Sequence, residues 1–204
     1  MLKARFYQFL TTVQSKDVSI NWHVIALDST GIKITNRGEW LPHKWNVRKG
    51  YLKIHVAVDI KKKKIVSLEV TSEEIHGGSR LKNLVDNALE NNTLKIVIAD
   101  GAYDSKENFR YLYDNNIEAA IKVRKNSSYR FMGCNPRRKV VLRQLKNLEK
   151  WKSSVSYGQR CIVENVFSSM KRMFGEYVSA RRFPNMVKEI MLKASLYNTF
   201  ILRK

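Results

Sequence analysis

Two acids stand where their surroundings do not favour a charge. The apolar run VIALD ends on Asp28 and the run IVIAD ends on Asp100. A carboxylate at the end of a buried strand is costly unless something compensates it. The third acid, Glu164, lies in YGQRCIVENVFSSMKRMFG, residues 157–175. Hard divalent cations such as Mg²⁺ take carboxylate oxygens and water as ligands. Three converging carboxylates hold one or two such ions, and a pair of ions about 3.5–4 Å apart drives in-line displacement at phosphorus. A plainer reading makes each aspartate a turn or cap residue after a strand. That reading suits Asp100, which precedes Gly101, better than Asp28, because the first strand runs on through Ile32 and Ile34.

The segment 157–175 has the period of an amphipathic helix. At about 100° per residue, with Arg160 set at zero, Lys171 falls at about 20°, Glu164 at about 40° and Tyr157 at about 60°. Ile162, Val163, Val166, Phe167, Met170, Met173 and Phe174 take the opposite arc. One face is core, and the other offers a lone carboxylate flanked by cations. By itself that polar face also suits a solvated helix with weak ion pairs.

The elements that must position these residues follow from periodicity. Residues 24–34 read as a buried strand, 51–59 and 65–71 as alternating strands joined by a tight lysine turn, and 94–100 as a buried strand. Leu81, Leu84, Val85, Ala88 and Leu89 mark a helix. Asp104 with Glu107 resembles a capping box opening another, to about residue 115. IEAAIKV (117–123) is a last strand, and a final helix follows Pro184. Three meandering strands followed by α/β alternation predict a mixed sheet flanked by helices. Phe6, Phe9, Leu10 and Val13 share a helical face, so residues 1–18 read as a short N-terminal helix ahead of one domain over 19–204.

Charge narrows the partners. The 204 residues carry 38 Lys or Arg against 18 Asp or Glu, a net charge of +20. A globular domain this basic implies a polyanion: nucleic acid first, an anionic membrane surface second. Between Lys122 and Lys152 stand eleven bases and one acid, Glu149, interleaved with Tyr129, Phe131 and Trp151. That mixture suits phosphate contact with base stacking. No run of 18 apolar residues predicts a membrane span. Cys134 and Cys161 form no framework, and both read as reduced, structural thiols. His23, His43, His55 and His76 lack zinc-like spacing, and Gly77-Gly78 is too little for a phosphate loop.

The spacing Tyr157, Arg160, Glu164, Lys171 resembles the Y-R-E-K signature of insertion-sequence DDE transposases. LDSTGIKI and IVIADGAYDS resemble the blocks around the family's two aspartates, YLKIHVAVD the hairpin between them, and KRMFGEYVSAR the stretch closing the signature. The resemblance runs from about Ser19 onward. It implies an RNase H-like α/β fold with a mixed five-stranded sheet. It also implies a catalytic, metal-binding triad of Asp28, Asp100 and Glu164, and DNA-handling roles for Tyr157, Arg160 and Lys171. The implied cofactor is Mg²⁺, with Mn²⁺ as substitute and two ions at work. The implied partners are double-stranded transposon-end and target DNA and a second copy of the chain, in a prokaryotic cytoplasm at the nucleoid. His76-Gly77-Gly78-Ser79 departs from the family's His-Asp-Ser type of sequence. Fewer than thirty residues precede Asp28, where members carry a longer segment of helix-turn-helix character. Two alternatives follow: a shortened copy that binds DNA as a regulator, and an RNase H-like nuclease.

Overall fold

The computed structural model describes residues 22–34, 50–124, 127 and 133–202. The proposed helix over 1–18, together with Tyr129 and Phe131, lies outside them.

Strands β1 (Trp22–Lys33), β2 (Tyr51–Asp59) and β3 (Lys64–Ser72) form the expected antiparallel meander. The chain then crosses over through α1 (Leu81–Leu89) and returns as β4 (Thr93–Ala99), parallel to β1 on its free side. Helix α2 (Lys106–Asp114) leads to β5 (Glu118–Ile121), parallel to β4. The sheet order is β3-β2-β1-β4-β5, a mixed five-stranded arrangement with β1 at the centre. The basic segment after β5 folds as α3 (Asn135–Lys146) and α4 (Leu148–Ser154). It is followed by α5 (Cys161–Phe174) and α6 (Phe183–Leu202).

Alternation along β1 divides the core between two faces. Ile25 and Leu27 pack with Leu81, Leu84 and Val85 of α1 and Phe109 and Leu112 of α2. Ala26 and Ile32 pack with Val163, Val166 and Phe167 of α5 and Ile190 and Ala194 of α6. Burying each large side chain is worth about 1.5–3 kcal/mol, so both helical layers are held mainly by this apolar stripe. Beyond α5, Lys33 donates to the Glu176 carbonyl at 2.9 Å and accepts from the Val178 amide at 2.9 Å, which ties the exit of α5 to the end of β1. At edge strand β3, Asn198 exchanges two hydrogen bonds with the Ile65 backbone at 2.8 and 2.9 Å.

Several local expectations are corrected. Helix α2 is capped by Ser105, which accepts from the Asn108 amide at 3.1 Å, and not by Asp104, which is engaged elsewhere. Lys64, the last of the lysine run, lies buried at the start of β3, while Lys61, Lys62 and Lys63 are exposed at the turn. Trp151 is only 4% exposed and packs against Tyr157 at a tilt, with ring centroids 5.2 Å apart, so it serves the core and is closed to nucleobases. Cys134 is buried, but Cys161 opens α5 and is exposed.

His55 on β2 is fully buried. Thr71 Oγ1 lies 2.9 Å from its Nε2 and donates to the Ser72 carbonyl at 3.0 Å, so Nε2 carries the ring proton. Burial, with the Lys53 and Arg80 charges adding to it, lowers the imidazole pKa from 6.5 to about 4. The unfolded chain therefore takes up a proton near pH 6.5 that the folded protein refuses until about pH 4. Stability from this residue is complete above that window and falls as acid is added through it. Thermal melts should show His55→Gln losing less stability than wild type between those two pH values. Parallel losses would remove His55 from the acid limb.

Candidate active site

The last pairs of the β1–β4 ladder include Ala26 with Ile98. Two residues further along each strand stand Asp28 and Asp100. Parallel register with period-2 alternation puts the two carboxylates side by side, on the same face, with Asp28 midway along β1 and Asp100 just past the end of β4. Asp28 Oδ1 accepts from the Ser29 amide at 2.8 Å. Asp100 Oδ1 accepts from the Ala102 amide at 2.9 Å and caps the 3₁₀ turn Gly101–Tyr103. The turn role read from sequence is thus real for Asp100, and it occupies one carboxylate oxygen.

The segment after α4 lies across this end of the sheet. It is not one continuous α-helix: Tyr157–Arg160 form a 3₁₀ turn entered through Ser156 at φ +52°, and α5 begins at Cys161. Tyr157 therefore leaves the predicted helical face, and its hydroxyl donates to the Ala99 carbonyl at 3.3 Å, beside Asp100. Arg160 and Glu164 keep their one-turn spacing. Arg160 donates through Nη2 to Glu164 Oε1 at 2.6 Å and through Nη1 to Asp28 Oδ2 at 3.3 Å. Two turns on, Lys171 donates to Thr30 Oγ1 of β1 at 3.0 Å. The four signature positions are thus brought to one end of the sheet, where Tyr157 reaches β4, Arg160 and Lys171 reach β1, and Glu164 joins Asp28 through Arg160.

The electrostatics fit negative charge gathered in one place. The Asp28 pKa is raised, first by burial and further by the Asp100 and Glu164 charges. The Ser29 amide and Arg160 pull the other way. Burial weakens the Arg160 charge, but Asp28 and Glu164 outweigh it and the guanidinium pKa is raised. Carboxylate oxygens at the end of a parallel pair are the donors a hard divalent cation takes, so the residue types fit such an ion. Among the described residues no three His, Cys, Asp or Glu side chains form a group that could hold one. Arg160 is the cation in contact with two of the three acids.

Supports the sequence did not reveal lie behind the aspartates. The 3₁₀ turn Gly77–Arg80 abuts the turn that follows Asp100. A Cβ on Gly78 would lie 2.3 Å from the Ala102 carbonyl oxygen, and one on Gly77 would lie 3.2 Å from Ser29 Oγ and 3.3 Å from the Tyr103 hydroxyl. Of the glycine pair that looked too slight for a phosphate loop, Gly78 is needed for close backbone approach and Gly77 for room against the Ser29 and Tyr103 side chains. Asn108 fastens the two turns, donating to the Gly78 and Tyr103 carbonyls at 2.9 Å each. Asp104 accepts from Arg137 at 2.6 and 3.0 Å, from Ser127 at 3.2 Å and from the Arg124 amide at 3.1 Å. Its pKa is lowered because these donors outweigh its burial. This clamp anchors the basic segment beside Asp100.

Comparison with known proteins bears on the whole arrangement. The family model of the transposase DDE domain matches residues 23–199. A piggyBac transposase, solved by cryo-electron microscopy as a synaptic complex with hairpin DNA, superposes with a TM-score of 0.51 at 10% identity. That match covers 98% of this chain and 49% of the other, so the chain spans about half the length of that transposase. The simian T-cell lymphotropic virus intasome, solved with a PP2A regulatory subunit, gives a TM-score of 0.42 at 14% identity, over 90% of this chain and 50% of that one. The catalytic core domain of BIV integrase gives 0.34 at 12% identity, over 85% and 99%.

Proposed function

The chain belongs to the transposase DDE domain family, and from that premise we propose that it cleaves DNA at the ends of a mobile element and joins the freed ends to target DNA. The observation that carries this reading is the placement of Asp28 and Asp100 on adjacent strands, with Arg160 joining Glu164 to Asp28. Water attacks a phosphodiester at the element end and releases a 3′-hydroxyl. That hydroxyl then attacks a phosphodiester of the target, exchanging one P–O bond for another. Asp28, Asp100 and Glu164 are the residues that would hold Mg²⁺, or Mn²⁺ in its place. A bound pair of such ions would activate the attacking oxygen and stabilise the leaving one.

The remaining groups bind and orient. Arg160 and Lys171 supply cations for phosphates on either side of the scissile bond. Tyr157, held to the Ala99 carbonyl, fixes the 3₁₀ turn that presents Arg160. Exposed Arg143 and Lys146 on α3 extend the positive surface along the duplex. Two copies of the chain pair two element ends, and the work is done at the nucleoid of a prokaryotic cytoplasm. Among the described residues no helix is long and apolar enough to cross a membrane.

The test is incubation of the protein with Mg²⁺, supercoiled plasmid and a labelled linear duplex bearing the inverted repeats that flank its gene. Nicking at the repeat ends and joining of label to plasmid are expected, and both should stop with EDTA. Tight DNA binding without nicking would make the protein a DNA-binding regulator. Nicking without joining would make it a nuclease.

A further inference from the structure

Arg160 does something in this structure that phosphate binding does not explain. Its guanidinium spans two carboxylates from different elements, Asp28 on β1 and Glu164 on α5, and uses a separate nitrogen for each. The planar fork of an arginine is built for such bridging. The oxygens it occupies, Asp28 Oδ2 and Glu164 Oε1, belong to the carboxylates that would hold the cation. A guanidinium and a divalent ion so close together repel one another, and each lowers the other's hold on the acids. A DNA phosphate offers the same fork another pair of oxygens, in bidentate geometry.

We propose that Arg160, by bridging Asp28 and Glu164, competes with a divalent cation for their oxygens and passes to a DNA phosphate when substrate arrives, so that metal and DNA load cooperatively. This rests on the reading of the three acids as the metal site and adds the order in which that site is armed. Arg160 is thereby a latch on two of the acids until a phosphate draws it away. Linkage requires the effect to be reciprocal: whatever factor DNA adds to metal affinity, metal adds to DNA affinity.

Mn²⁺ titrations of the full chain, followed by the electron paramagnetic resonance of free Mn²⁺, test this without reference to activity. Wild type, Arg160→Ala, Arg160→Lys and Glu164→Gln would each be titrated alone and with a short blunt duplex, after melting curves establish that they are folded. Without DNA, Arg160→Ala should bind Mn²⁺ about tenfold more tightly than wild type, within the usual range of coupled sites. The duplex should tighten wild type by a similar factor and Arg160→Ala hardly at all. Arg160→Lys keeps the charge but loses the fork. It should resemble Arg160→Ala if bridging is the cause, and wild type if the charge acts only at a distance. The proposal is overturned if Arg160→Ala binds no more tightly than wild type, or if Arg160→Lys matches wild type. If Glu164→Gln binds Mn²⁺ as wild type does, the acids are not the metal site, and the functional reading fails along with the latch.

Discussion

Asp100→Asn is expected to lower metal-dependent DNA cleavage about a thousandfold, about 4 kcal/mol of transition-state stabilisation, with little change in melting temperature or DNA affinity. The substitution is chosen for what it keeps. Asp100 Oδ1 caps the Gly101–Tyr103 turn through the Ala102 amide. Asparagine caps as well as aspartate does, so the turn, and the Tyr103 ring it plants in the core, should stay in place. What is lost is one negative charge at the paired strand ends, on which cation binding depends. DNA affinity should persist because it draws on the +20 net charge and not on this acid. Plasmid nicking, a mobility-shift titration and a thermal melt of the same preparation decide the matter. Cleavage at the wild-type rate would remove Asp100 from the chemistry, and a collapsed melt would show that the capping argument is wrong.

Gly78→Ala should be the most damaging of a graded series of glycine substitutions. The new Cβ would sit 2.3 Å from the Ala102 carbonyl oxygen. That atom is backbone, and its turn is fixed by Asp100 on one side and Asn108 on the other, so something rigid must move. Overpacking of this kind costs about 1–3 kcal/mol, and the displaced turn is the one that carries Asp100. Gly77→Ala meets only side-chain atoms, the nearest at 3.2 and 3.3 Å, and should cost less. Gly158→Ala meets nothing within 4 Å and should be near neutral. Urea midpoints measured for the three, with cleavage rates beside them, should rank in that order. Equal midpoints for Gly78→Ala and Gly158→Ala would mean that the two 3₁₀ turns are not rigidly opposed.

Period and polarity made the sheet legible. Alternation marked β2 and β3, unbroken apolar runs marked β1 and β4, and the 3.6-residue period marked α1 and most of α5. The pairing that places Asp28 beside Asp100 was less accessible, because parallel register joins segments some seventy residues apart with no local signal. The 3₁₀ turn before α5 escaped the helical wheel because Tyr157 fits the helical period while the backbone at Ser156 is left-handed. Asp104 resembled a cap because its spacing to Glu107 is that of one. Only the fold brings Arg137 to it. Trp151, lying among bases, suggested stacking on DNA, but its size and apolar area carried it into the core. The glycine pair at 77–78 held a true signal of close approach, and its target, the Ala102 carbonyl, is invisible until the two turns meet.

The three acids are spread along the chain with Glu164 last, and β1 waits for β4 to pair its free edge and for α5 to cover one face. At about 5–20 residues per second of synthesis, Asp28 exists for about ten seconds before Glu164 is made. On the proposed reading of the three acids, a fragment that ends before Glu164 lacks the third carboxylate and cannot complete the metal site.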